Sequence, residues 1–246
     1  MTRYPTRFAR SSLTEAVFEM RFAVAPGRGV ELLPGTILAA LGREFPRLEQ
    51  MPLGTLPKEM RDARSELQHA ALFKLQGEDE AVLLGDRVAS FNAPKPYPGW
   101  SKFRSRAIQV ASALKESGHI ANLDRYSLKY VNVIESSKAA NPTAPFNVRV
   151  EAKSFELSPN GFRLRFETKI KGFTNIVEYT SNVMSTVGKE KLHGTMMTLD
   201  TIMEPADPGF WAELERRLDA THDVLEGIFF DLLTSETISA MGPSYD

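Results

Sequence analysis

From Phe162 to Lys171 the chain alternates with a period of two. Phe162, Leu164, Phe166 and Ile170 hold even positions, and Arg163, Arg165, Glu167, Lys169 and Lys171 hold the odd ones, with Thr168 the one exception. Successive strand side chains point to opposite faces, so this pattern gives a sheet one apolar and one wet face, the arrangement of an antiparallel sheet. Residues 146–203 are expected to form four such strands, closed by a capped amphipathic helix over 207–241. The helix stripe is Trp211, Leu214, Leu218, His222, Leu225, Phe229 and Leu232, which should lie on the buried sheet face. Asp207-Pro208 reads as an N-cap followed by a first-turn proline, and Gly242-Pro243 as the stop. Within 146–157 the apolar parity shifts from Val148, Val150 and Ala152 to Phe155 and Leu157. That slip predicts a β-bulge near Lys153-Ser154.

The N-terminal half carries the same signals in shorter units. A strand over Ala16–Val24 ends at Pro26-Gly27, and a helix follows with Pro34 in its first turn, the stripe Ile37, Leu38, Leu41 and Phe45, and Pro46 as its stop. Residues 46–70 read as a long polar loop, mobile or functional, in which Pro57–Arg64 has room for two helical turns. Short strands near 71–76, 80–84 and 87–92 are joined by hairpin turns at Gly77-Glu78-Asp79 and Gly85-Asp86. Ser101 is a plausible N-cap for a helix over 102–117 that ends at Gly118. A strand over 125–135 places Tyr126, Leu128, Tyr130, Asn132 and Ile134 on one face. The expected class is therefore α+β: a largely antiparallel, curved sheet packed on a long C-terminal helix, with an N-terminal βα unit and a second helix. Residues 1–246 read as a single domain, and the loop containing Pro142 and Pro145 divides it into subdomains 1–140 and 141–246.

Composition narrows the chemistry. The 246 residues contain no cysteine, which removes thiol nucleophiles, disulfides and thiolate metal sites. A net charge of −1 gives no global argument for nucleic acid or an anionic membrane. No segment approaches the roughly 18 apolar residues of a spanning helix, and Met1-Thr2-Arg3-Tyr4-Pro5 lacks the apolar run of a signal peptide, so a cytoplasmic location is expected. The histidines, His69, His119, His193 and His222, have no zinc-ligand spacing. GxSxG, GxGxxG and Walker A patterns are all missing. Asp219, Asp223 and Glu226 lie three or four apart on the closing helix and read as its wet face. The sequence thus points to no catalytic residue, no metal and no cofactor.

Four segments resemble a known family. Glu15-Ala16-Val17-Phe18-Glu19-Met20-Arg21-Phe22 looks like its opening strand, Pro96-Tyr97-Pro98-Gly99-Trp100 with Phe103 like its central signature, and Leu128–Ile134 like its next strand. His222, followed by Phe230-Asp231 and Leu233-Thr234, looks like the end of its closing helix. The family is a sporadically distributed, functionally uncharacterised bacterial group of about this length. The resemblance implies a single bacterial module of patchy distribution, as toxin–antitoxin and defence genes often have, and it carries over no catalytic residues.

Two groups of residues are candidates for binding. Tyr97 and Trp100, in a stiff proline-rich loop, either anchor a ligand or interface or plug the seat of the following helix. His222 points toward the sheet, either as a general base or ligand contact beside Tyr130 and Asn132, or as a histidine at the edge of the core. The second group is the charged strand face, where Arg149, Arg163, Arg165, Lys169 and Lys171, with Lys153, outnumber Glu151, Glu156 and Glu167. That face either meets an anionic partner, a protein before nucleic acid, or is a solvated surface with cross-strand ion pairs. The leading expectation is a bacterial protein-interaction module, an antitoxin or defence component. The alternative is a small-molecule-binding or hydrolytic protein with a cavity under the C-terminal helix. Unpaired strand edges add the expectation of a homodimer.

Overall fold

A computed structural model describes residues 4–28, 30–135, 143–151, 153–154, 158, 161–187, 190–206 and 208–245. After the two-residue β1 (Arg7–Phe8), β2 runs from Leu13 to Val24, followed by α1 (Leu33–Leu41), β3 (Arg47–Gln50) and the short α2 (Lys58–Asp62). A meander follows of β4 (Phe73–Gln76), β5 (Ala81–Leu84) and β6 (Val88–Pro94), leading into α3 (Trp100–Glu116) and the long β7 (Ile120–Glu135). The C-terminal half holds β8 (Arg163–Ile170), β9 (Phe173–Val187), β10 (Glu190–Met203), α4 (Leu214–Leu232), α5 (Ser235–Ala240) and β11 (Pro243–Ser244).

Nine strands make one open antiparallel sheet in the order β3-β4-β5-β6-β2-β7-β10-β9-β8, while β1 and β11 pair as a separate ribbon. The class is α+β, as the alternation requires. The sheet takes strands from both sides of residues 136–142, because β7 lies between β2 and β10. One row shows how period two builds the core. Ala93, Ala16, Tyr130, Leu199, Val177 and Phe166 are register partners across six strands and face the helices together. On that face Phe18, Met20, Phe22, Tyr126 and Leu128 are fully buried, and α4 packs against β7 and β10 and touches α3. The opposite face carries the odd residues of β2, among them Glu19 and Arg21, which pair with each other at 2.8 Å.

The structure departs from the sequence expectations in four places. Of the expected strand over 146–157, the described residues form none: Phe146 makes a single bridge to Leu233, and the Asn147 side-chain amide donates to the carbonyl oxygens of Asp231 and Leu233 at 3.0 and 2.9 Å. The predicted bulge at 153–154 sits where both flanks fall outside the described residues. A register shift does occur between Gly194 and Met196, opposite Asn182, which has φ +55°.

The closing helix starts at Leu214, after turns in which Phe210 is anchored against Tyr126 at 4.6 Å. Asp207 lies outside the described residues. The helix divides at Leu233, whose extended backbone meets Phe146, and Thr234 then caps α5 by accepting a hydrogen bond from the Thr237 amide.

Gly99 caps α3 in place of Ser101, with φ +89°, a conformation that β-carbon sterics close to most residues. This choice puts Trp100 in the first helical turn.

Finally, 46–70 is not a bare loop. It contains β3, α2 and two short 3-10 turns, and Arg61 of α2 makes a buried bidentate pair with Asp86 at 2.8 and 3.0 Å. That ion pair fastens the segment to the turn between β5 and β6.

Candidate functional site

A cavity of about 520 Å³ lies between α4, the start of α3, β7 and the N-terminal segment before β2. Tyr97, Trp100, Tyr130, Asn132 and His222 all line it. Five residues from three distant segments converge for identifiable reasons. Tyr130 and Asn132 are two apart on β7, so both face the helices; they are 8% and 2% exposed. Trp100 and Arg104 are one turn apart on α3, as are Asp219 and His222 on α4. Arg104 grips Asp219 with two hydrogen bonds, at 2.6 and 2.9 Å, and reaches Glu215 at 3.0 Å. The Arg104 clamp fixes the two helices, and beside it the Trp100 and His222 rings stack at 3.8 Å with 19° between their planes.

Burial sets the protonation states. Desolvation pulls His222 down to about 4, only partly offset by the negative charge of Asp219, so its imidazole is neutral near pH 7. Asp219 itself lies below the usual carboxylate range, first because Arg104 donates to it. The Tyr97 and Tyr130 hydroxyl groups meet at 3.2 Å. Burial pushes Tyr97 up to about 12 and Tyr130 well above its ordinary value, so both stay protonated. With two protons in one pair, the second hydroxyl hydrogen has to point elsewhere.

Asn132 is more constrained still. Its Oδ1 accepts from the Ser12 hydroxyl at 3.1 Å, while its buried Nδ2 has no partner among the described residues. An unmet buried donor costs about 1–3 kcal/mol.

The sequence reading missed several lining groups. Glu226 was placed on the wet face of the helix, but it is half-buried at the cavity, while Asp223 is exposed. Its position four residues after His222 was the available signal. Burial, and then the charge of Asp223, raises Glu226 above the ordinary carboxylate range. The N-terminal strap had no such signal. Thr6, Ala9 and Arg10 donate backbone hydrogen bonds to Ser244, Gly242 and Met241 at 2.9–3.0 Å, and Tyr4 stacks on Phe230 at 4.4 Å. Only folding brings these two ends of the chain together, and the strap forms one wall of the cavity.

The residues of the charged face are scattered. Arg163, Arg165 and Lys169 are exposed on β8, an edge strand, and Arg165 pairs with Glu167 at 2.7 Å and Glu178 at 3.0 Å. Arg149 lies outside the sheet and pairs with Glu151. Lys171 sits in the two-residue turn between β8 and β9, where it and Gly172 both have positive φ, the mark of a type I′ hairpin. Among the described residues no group of three or more His, Cys, Asp or Glu is placed to hold a metal ion, and no helix is long and apolar enough to cross a membrane.

No protein-family model matches the chain, and no curated protein matches it. The family resemblance therefore rests on the sequence motifs alone.

Proposed function

We propose that this protein binds a small organic molecule in the cavity beneath α4. One observation carries the reading: a ligand-sized space is lined by Asn132, whose buried Nδ2 has no partner among the described residues. Small-molecule sites commonly enclose about 300–1,000 Å³, with apolar and aromatic walls and a few convergent polar groups. Phe8, Trp100 and Phe229 supply such walls here, and Asn132, the tyrosine pair and His222 supply the polar groups. The ligand has a flat or apolar body and a carbonyl-like acceptor for Asn132. No side chain in the cavity is set up as an activated nucleophile, so binding is the activity the geometry supports, ahead of hydrolysis.

Titration with 4-tert-butylacetophenone, followed by tryptophan fluorescence of the protein and of a Trp211→Phe variant and by NMR line broadening, tests the reading. Saturable binding that weakens about tenfold or more in Asn132→Leu is expected, since one hydrogen bond to a buried group is lost. Binding of equal strength in the variant would refute the role of Asn132.

The interaction-module reading keeps one observation of its own. The free edge of β8 carries exposed Arg163 and Lys169, which suits an acidic partner. Lys169→Glu would abolish such an interaction and leave the cavity untouched.

A further inference from the structure

The half-buried carboxylate of Glu226 stands on the cavity wall. Among the described residues it forms no ion pair, although the carboxylates nearer the helix start do: Asp219 and Glu215 are both taken by Arg104. Two cationic side chains line the cavity. Arg7 is exposed to solvent, and Lys95 has an interaction of its own. The groups around Glu226 are aromatic. Tyr97, Tyr130, Phe229 and Phe230 line the same space. Burial is the main cause that raises Tyr4, Tyr97 and Tyr130, and the nearby charge of Glu226 adds a smaller part to each. A carboxylate removed from water costs free energy unless a cation pairs with it. The faces of tyrosine and phenylalanine rings attract cations as well, through the ring quadrupole. A negative charge set among aromatic rings is thus matched to a positively charged organic group.

We infer that the ligand of this cavity is an organic cation, an amine or quaternary ammonium compound whose positive end lies at Glu226 among the aromatic side chains and whose acceptor lies at Asn132. The inference rests on the small-molecule reading above and adds the charge of the ligand. A cation displaces no ion pair that Glu226 makes among the described residues, and it balances the charge of that half-buried carboxylate. An anion would face that charge directly. A neutral molecule of the same shape would leave it desolvated and unbalanced.

Three para-substituted acetophenones separate the possibilities: 4-acetyl-N,N,N-trimethylanilinium, its neutral isostere 4-tert-butylacetophenone, and 4-acetylbenzoate, which carries a smaller, planar anionic group. All three present the same carbonyl to Asn132, and they differ in charge at the other end. Isothermal titration against the full chain is expected to give at least tenfold tighter binding for the cation than for the neutral probe, with the anion weakest. In Glu226→Gln, which keeps size and hydrogen-bonding capacity, the cation should lose that preference while the neutral probe keeps its affinity. Because the ranking is read first on the unaltered protein, it holds even if the variant folds poorly. Equal binding of cation and neutral probe, or tighter binding of the anion, would overturn the inference and leave the cavity reading standing. Failure of all three probes at millimolar concentration would overturn both.

Discussion

His222 gives a quantitative test of the helix-on-sheet packing. Its imidazole is lowered from 6.5 to about 4 by burial beneath α4 against Trp100, while the unfolded chain titrates near the ordinary value. Below pH 6.5 the unfolded state therefore takes up a proton that the folded state refuses, and stability falls as the pH drops, until the folded protein also protonates near pH 4. The full difference is about 3 kcal/mol, at about 1.4 kcal/mol per pKa unit. At about pH 5.5 roughly 1.4 kcal/mol of it is already lost, against about 0.2 kcal/mol at pH 7. The groups facing His222 do not cancel this. Asp219 is held ionised by Arg104, and the raised Glu226 is present in both the wild type and a His222 variant.

The assay is urea unfolding of the wild type and His222→Gln at pH 7 and 5.5. Glutamine loses the stacking on Trp100, which lowers stability at both pH values, but it has no proton to gain. The wild type should thus lose about 1.2 kcal/mol more than the variant between the two pH values, roughly 0.5 M in urea midpoint. Parallel losses in the two proteins would refute the claim that burial keeps His222 neutral.

Other consequences follow from the packing. Leu225 is fully buried between α4 and the sheet, so Leu225→Ala should cost about 2–5 kcal/mol and lower the melting temperature by about 2–4 °C for each of them; a change under 1 kcal/mol would contradict the packing. Asp86→Ala strands Arg61, which is 8% exposed, and should cost about 3–5 kcal/mol in chemical denaturation, while Arg61→Leu added to it recovers part of that loss. The sheet ends in β3 and β8, and light scattering at micromolar concentration tests whether copies pair; a dimer mass that β8 charge reversals reduce to a monomer would place the interface on that edge.

The sheet and its polarity were legible in the sequence because their cause is local. Side chains two apart share a face, so the alternation in 162–171 and the series Tyr126, Leu128, Tyr130, Asn132 and Ile134 already stated which side chains face the helices. The hairpin turns were legible too, since Gly77 and Gly85 close turns whose amides bond to Glu80 and Val88 at 2.9 and 2.8 Å. The failures arose where a distant residue decided the matter. Residues 147–151 have strand-like alternation, yet the backbone near them is claimed by the end of α4, through Phe146 and Leu233. Arg61 lies in a stretch the sequence allowed two helical turns, but only folding set it against Asp86.

The candidate site divides along the same line. Helical and strand periodicity put His222, Tyr130 and Asn132 on inward faces, and the stiffness of a proline-rich loop singled out Tyr97 and Trp100. What no local pattern contains is distance. The stacking of Trp100 on His222, the Arg104 clamp beside it and the strap that pairs the N-terminal segment with residues 241–244 all depend on contacts between residues more than 100 positions apart. The sequence by itself determined which faces are apolar, because periodicity is a property of neighbours. Tertiary structure alone decided that those faces leave a cavity, because a cavity is the space that packing between distant elements fails to fill.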